Sequence, residues 1–145
     1  MTTPVTALLD TSVFIAAFWG DHPDHAASVR LYKSLSKEQG FCAAHSLAEV
    51  FSIMTRLPVK PAIPPEQALL FVSDIYDRFN IVALDANDYF RTIRTLAERG
   101  LGRSLVYDAL IARSALKSKA DALFTWDVAD FQRIAPELAG RIRTP

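Results

Sequence analysis

The strongest constraint on the fold of this chain is a helix–strand–turn pattern that carries an acid near each end. Residues 105–131 read LVYDALIARSALKSKADALFTWDVADF. The pattern predicts a helix with Asp108 in its first turn, then a buried strand over Ala122–Thr125, then a turn that contains Asp127. If this strand pairs with a parallel neighbour, both carboxylates lie at the edge of the sheet where open α/β folds place their binding sites.

Two earlier parts of the chain repeat the junction of a strand, an acid and a helix. The apolar run Val5–Leu9 ends in Asp10, and a helical pattern follows that Thr11 or Ser12 can cap. A second apolar run, Phe41–Ala44, precedes a helical pattern from Ser46, with Glu49 near its start. Three separate junctions are therefore expected to place acids at one edge of the same sheet.

Short apolar runs alternate with helical patterns in the remaining sequence. Ile81–Leu84 predicts a third strand, and residues 141–143 predict a last, short one. Residues 57–65 hold four prolines and predict a stiff loop. This alternation indicates a parallel sheet with helices on both faces. We therefore expect a single domain over residues 1–145, a three-layer α/β/α fold with a central, mostly parallel sheet of four to five strands.

Composition restricts the class of protein. Half of the 145 residues are hydrophobic and 22% are charged, which favours a folded domain with a real core over a disordered chain. The 16 basic and 16 acidic residues cancel, which argues against binding through a broad positive field but not against a nucleic-acid enzyme with an acidic site. The single Cys42 and the absence of a signal-peptide pattern predict a cytoplasmic protein without a membrane anchor.

Each acid also has a purely structural interpretation. Asp10 and Asp127 stand where they can cap helices, and Asp108 can oppose a helix dipole. The sequence from Ser46 to Glu49 matches a capping box, in which Glu49 bonds back to the backbone of Ser46.

Taken together, the acids favour a metal site, because capping does not require them to share one edge of a sheet. Two carboxylates 4 Å apart repel each other by about 4 kcal/mol at an effective dielectric constant near 20. A divalent cation removes that repulsion, and ligands that are all oxygen select hard ions such as Mg²⁺ or Mn²⁺. The hydroxyls of Thr11, Ser12 and Thr125 are available to orient ligands or bound water.

These motifs together resemble a PIN domain. In chain order they are Leu9-Asp10-Thr11-Ser12-Val13-Phe14-Ile15, Ser46-x-x-Glu49-Val50, Tyr107-Asp108-Ala109-Leu110-Ile111-Ala112 and Thr125-Trp126-Asp127-x-x-Asp130-Phe131. The chain most resembles the stand-alone PIN ribonucleases that serve as toxins of VapBC toxin–antitoxin pairs, and the resemblance covers nearly its whole length.

The resemblance implies an endoribonuclease that depends on Mg²⁺, with Mn²⁺ able to substitute. Asp10, Glu49, Asp108 and Asp127 would be both its catalytic and its metal-binding residues. Relatives often carry Asn at the position of Asp127 and an acid at that of Asp130, so either can be the fourth acid, and we rank Asp127 first. The resemblance also implies an RNA substrate, a VapB-type antitoxin that covers the site, and a homodimer.

Other functions compete with this one. A PIN-like binding module without catalysis and a DNA-directed nuclease of the same fold remain alternatives. A phosphohydrolase is disfavoured, because it would want a second Asp where the chain has Ser12. The first two helices carry Phe18, Trp19 and Tyr32, which either form a contact surface or pack into the core.

Overall fold

Strands alternate with helices in the computed structural model, which describes residues 5–145. The strands are β1 (Ala7–Leu9), β2 (Gly40–Ala43), β3 (Asn80–Val82), β4 (Ala122–Phe124) and β5 (Ile142–Arg143). The helices are α1 (Thr11–Phe18), α2 (His25–Ser34), α3 (Ala44–Arg56), α4 (Pro65–Arg78), α5 (Ala86–Glu98), α6 (Leu105–Ser118) and α7 (Val128–Ile134), and a 3₁₀ helix spans Pro136–Arg141. Residues 1–4, the start of the predicted domain, lie outside the described range.

The five strands form one sheet in the order β3-β2-β1-β4-β5, and all four pairings are parallel. Strand β1 is central, with Leu8 opposite Phe41 of β2 and opposite Leu123 of β4. Because every strand runs in the same direction, the carboxyl ends of all five meet at one edge. The prediction of a parallel α/β sheet is confirmed, and the strand number is five.

Helices cover both faces of this sheet, as predicted. Successive side chains of a strand point to opposite faces, so Leu8 enters one hydrophobic cluster while Ala7 and Leu9 enter the other. The cluster around Leu8 contains Ile111, Leu123, Phe131 and Leu138. The cluster around Leu9 contains Phe14, Val50, Met54, Ile75 and Phe79. Within residues 5–145, no helix is both long enough and apolar enough to cross a membrane.

The aromatic side chains of the first two helices belong to the core. Tyr32 is 6% exposed, and its ring lies 5.3 Å from that of Phe79. Phe18 and Trp19 are half-buried and pack against the same cluster, with Phe18 stacked on Phe71 of α4. Of the two interpretations of these aromatics, packing into the core is therefore the one that the structure supports. The large exposed apolar side chains lie elsewhere, mainly on α4 and α5.

Gly40, at the start of β2, generates a prediction about stability. A Cβ atom there would lie 2.6 Å from Cδ1 and 2.8 Å from Cε1 of Phe79. The Phe79 ring cannot move aside, because it packs edge-on against Phe14 at 5.3 Å and is buried. We expect Gly40→Ala to lower the free energy of unfolding by about 1–3 kcal/mol, measured as a lower urea midpoint.

Gly20→Ala is the matched control. A Cβ atom at Gly20 meets no heavy atom within 4 Å, so its free energy of unfolding should change by less than about 0.5 kcal/mol. Equal urea midpoints for the two variants would show that Phe79 does not constrain β2.

Candidate active site

The predicted acids come together at the carboxyl edge of the sheet. Asp10 directly follows β1, Glu49 lies in α3 after β2, Asp108 is in the first turn of α6, and Asp127 follows β4. Burial raises the pKa of Asp108 most, and the negative charges of Asp10, Asp127, Glu49 and Asp130 raise it further. The structure therefore groups the other three predicted acids around Asp108, and Asp130 in the first turn of α7 is a fourth neighbour.

Asp10 is the buried member of this group, with 2% of its surface exposed. Its Oδ2 accepts hydrogen bonds from the Ser12 hydroxyl at 2.8 Å and the Thr125 hydroxyl at 2.9 Å. The backbone N–H of Ser12, at 3.4 Å, also donates to Oδ2, so Asp10 and not Thr11 or Ser12 caps α1. Among the described residues every hydrogen bond to this carboxylate reaches Oδ2, which leaves Oδ1 for a ligand.

The same two hydroxyls also fix the turn that carries Asp127. Thr125 Oγ1 accepts a hydrogen bond from the backbone N–H of Asp127 at 2.9 Å, and Ser12 Oγ accepts one from the backbone N–H of Trp126 at 3.0 Å. Asp127 precedes α7, but its side chain makes no capping hydrogen bond within the described structure. Its carboxylate is therefore held at the site by its backbone and is not used as a helix cap.

Glu49 does not form the capping box that the sequence suggests. Helix α3 begins at Ala44, so Ser46 lies inside its first turn and is fully buried. Instead, Glu49 Oε1 accepts a hydrogen bond from the Thr11 hydroxyl at 2.9 Å, and that hydroxyl lies 3.0 Å from Ser46 Oγ. The contact with Thr11 directs Glu49 toward the start of α1 and the other acids.

Burial and mutual repulsion make these carboxyl groups harder to ionise. Burial raises the pKa of Asp10 to about 6, although the hydrogen bonds from Ser12 and Thr125 oppose the shift. Burial, and then the charges of the neighbouring acids, raise the pKa of Asp108 to about 7. Partial burial and the charge of Asp130 also raise the pKa of Asp127. The Lys and Arg ion pairs found between residues 5 and 145 all involve acids outside this group.

This donor set fits a hydrated divalent cation. In the part of the chain that the structure describes, no three His, Cys, Asp or Glu side chains are arranged to hold one metal ion directly. Mg²⁺ in proteins commonly takes one or two carboxylates and keeps several of its waters. Asp10 Oδ1 and one neighbouring carboxylate would meet that requirement, and the other acids would accept hydrogen bonds from the waters of the ion.

Two neighbours of the acids were not predicted as part of the site. The His45 imidazole stacks on the Tyr107 ring, and its Nε2 lies 3.7 Å from Glu49 Oε1. The available signal was spacing, because His45 precedes Glu49 by one helical turn and Tyr107 directly precedes Asp108.

The raised pKa of Asp10 predicts a pH-dependent stability in the absence of divalent metal. The carboxyl titrates near 3.9 in an unfolded chain and near 6 in the folded protein. Between these values the folded state binds more protons than the unfolded state, so the free energy of unfolding falls as the pH rises through this window. A shift of about two pH units corresponds to about 3 kcal/mol.

Asp10→Asn tests this dependence, because the amide keeps an oxygen for Ser12 and Thr125 but cannot ionise. In EDTA, we expect the variant to have a smaller pH dependence between about pH 4 and pH 7 and a higher free energy of unfolding at about pH 8 than the parent protein. Urea unfolding over this range measures both quantities. A variant that is less stable than the parent at the higher pH would contradict the assignment of a raised pKa to Asp10.

The comparison with known proteins agrees with this geometry. The model of the PIN domain family matches residues 7–136. The chain is similar to Ribonuclease VapC40 of Mycobacterium tuberculosis, with 34% identity over 132 residues that cover 89% of this chain and 94% of that protein. It is also similar to Ribonuclease VapC27 of the same organism, with 30% identity over 113 residues that cover 78% of this chain and 79% of that protein.

Solved structures show the same fold. The crystal structure of M. tuberculosis VapC20, described as a sarcin-ricin loop cleaving toxin, matches with a TM-score of 0.68 and 16% identity over 84% of this chain and 92% of that one. VapBC2 of Rickettsia felis, solved with a DNA fragment from its promoter, matches with a TM-score of 0.67 and 20% identity over 97% of this chain and 99% of that one. With acids at the carboxyl ends of an all-parallel five-stranded sheet and a family match over most of its length, the chain belongs to the PIN domain family.

Proposed function

We propose that this protein is a Mg²⁺-dependent endoribonuclease of the cytoplasm and the toxin of a VapBC-type toxin–antitoxin pair, with Mn²⁺ able to replace Mg²⁺. The observation that carries the proposal is the cluster of acids at the carboxyl edge of the sheet, which has no Lys or Arg partner within the described residues. Burial, and then the charges of these neighbouring acids, raise the pKa of Asp108 to about 7. The similarity to two proteins named as ribonucleases supports RNA as the substrate.

Each acid has a distinct role in this mechanism. Asp10, through Oδ1, and Asp108 would hold the ion directly, while Glu49 and Asp127 would bind its waters. When bound, the ion would neutralise charge on the phosphate and lower the pKa of a bound water. The Thr11 hydroxyl holds Glu49 Oε1, which leaves Oε2 to orient the attacking water and accept its proton. The Ser12 and Thr125 hydroxyls keep Asp10 in place while the charge at the site changes.

The proposal includes a protein partner. Several matching structures are complexes of VapC-type toxins with their antitoxins, including VapBC-1 of nontypeable Haemophilus influenzae. This similarity supports a VapB-type antitoxin that covers the acids of the present chain. We also expect this protein itself to form a homodimer.

Cleavage of RNA by the purified, antitoxin-free protein tests the function. With Mg²⁺, we expect cutting of a pool of structured cellular RNAs, none in EDTA, and at least a roughly 100-fold loss of rate in Asp10→Asn, since a ligand of the ion is removed. Asp121→Asn is the matched control. Asp121 precedes β4 and bonds to Thr6 before β1, so it lies at the opposite edge of the sheet.

Two results would contradict the proposal. A well-folded protein that cuts no RNA and whose thermal stability is unaffected by Mg²⁺ would favour a PIN-like binding module. Cutting confined to DNA would favour a DNA-directed nuclease of the same fold.

A comparison of Asp127→Asn with Asp130→Asn identifies the fourth acid. The charge of Asp127 raises the pKa of both Asp10 and Asp108, and the Asp127 backbone N–H donates to the same Thr125 hydroxyl that donates to Asp10, whereas Asp130 lies in the first turn of α7. We therefore expect Asp127→Asn to lower the single-turnover rate by about 10- to 100-fold and Asp130→Asn to have the smaller effect. The reverse order would assign the role to Asp130.

A further inference from the structure

A cavity beside the acids is not used by the proposed mechanism. It lies between α3 and α6 and has a volume of about 400 Å³, within the range of roughly 300–1,000 Å³ that is typical of ligand clefts. Its walls include His45, Glu49, Ser52 and Arg56 from one face of α3, and Tyr107 from α6. Glu49 belongs both to this cavity and to the acid group, so the two spaces adjoin.

The cavity contains an aromatic surface that is already held in position. The His45 imidazole and the Tyr107 ring are parallel to within 5°, with their centres 5.2 Å apart. His45 is the more buried of the two, and its Nε2 has no hydrogen-bond partner within residues 5–145. Tyr107 is 47% exposed although His45 covers one face of its ring. Protein aromatics in this situation bind unpaired nucleobases by stacking.

Arg56 supplies positive charge at the far end of the cavity. It lies two helical turns beyond Glu49 on α3, roughly 10 Å along the helix axis. Its Nε donates to the Ser52 carbonyl at 3.2 Å, and no acid in the described part of the chain forms an ion pair with it. Its terminal nitrogens are therefore available to a phosphate. The cavity thus has the aromatic surface and Glu49 at one end and a cation at the other.

This arrangement suits one nucleotide of a single strand, with its base at the aromatic surface and its two phosphates at the acids and at the cation. We propose that the cavity between α3 and α6 binds the nucleotide next to the scissile phosphate, with its base stacked on Tyr107 and the following phosphate on Arg56. The inference deepens the proposed function and rests on it for the position of the scissile phosphate. Unpaired bases can reach Tyr107 whereas paired bases cannot, so the substrate segment is single-stranded at this point.

Binding to a short single-stranded RNA with one 2-aminopurine tests the subsite. The experiment uses the Asp10→Asn protein, so that binding is measured without cleavage. We expect quenching of the 2-aminopurine fluorescence on binding, because the base stacks. Tyr107→Ala should remove the quenching and weaken binding by about 5- to 100-fold, whereas Tyr107→Phe, which keeps the ring, should retain both. Tyr76→Ala is the matched control, since Tyr76 is 62% exposed on α4 and outside the cavity.

Arg56→Ala tests the second contact of the same nucleotide. Loss of one phosphate contact should weaken binding equally for RNAs of different sequence and reduce the slope of log affinity against log salt concentration by about one. Arg56→Lys should restore the salt dependence. An Arg56→Ala variant with an unchanged slope would overturn the phosphate contact.

These experiments distinguish failure of the proposed subsite from failure of the proposed nuclease function. Unaltered quenching and affinity in Tyr107→Ala would overturn the subsite even if the parent protein cuts RNA, and would leave the cavity to a protein partner. Equal loss in Tyr107→Phe would overturn stacking. Conversely, quenching that depends on Tyr107 in a protein without metal-dependent cleavage would support the subsite and contradict the nuclease. Thermal unfolding of each variant shows whether a loss arises from misfolding.

Discussion

The arrangement of the site depends on a carboxylate that is buried at the carboxyl end of the central strand. Burial of an ionisable group without hydrogen bonds costs several kcal/mol, and for Asp10 the hydroxyls of Ser12 and Thr125 supply those bonds. The same hydroxyls accept hydrogen bonds from the backbone N–H groups of Trp126 and Asp127. The two hydroxyls that stabilise the buried Asp10 carboxylate therefore also connect α1 to the turn after β4.

The acids of this chain lie in two opposite electrostatic environments. Burial and the charges of neighbouring acids raise the pKa of Asp108, a local cost in stability that is typical of functional sites. Asp88 at the start of α5 instead accepts hydrogen bonds from Lys117 and Arg113 of α6, and the Lys117 bond in particular holds the pKa of Asp88 well below its usual range. These ion pairs anchor α6, the helix that carries Asp108, without placing a cation at the acids. A net charge of zero thus conceals a strongly acidic site.

Sequence patterns within one helix did not predict the contacts of side chains whose partners lie in other parts of the chain. The Ser46-x-x-Glu49 pattern is a valid capping box in an isolated helix, yet α3 begins at Ala44, and the Thr11 hydroxyl of another helix takes the Glu49 oxygen. Tyr32 likewise sits in a helix with few other buried residues, and its contacts with Phe14 and Phe18 of α1 and with Phe79 after α4 place it in the core. In both cases the deciding partners lie outside the helix that carries the pattern.

The sequence by itself determined the parallel α/β class and the positions of the acids, because strand and helix periodicity is local and an acid after a strand must lie at one edge of a parallel sheet. Only the tertiary structure decided which hydroxyls hold these acids, how strongly they repel one another, and that His45 and Tyr107 form one aromatic surface beside them. Those properties depend on distances and burial between segments that are remote in the chain, and residue spacing along a sequence does not specify them.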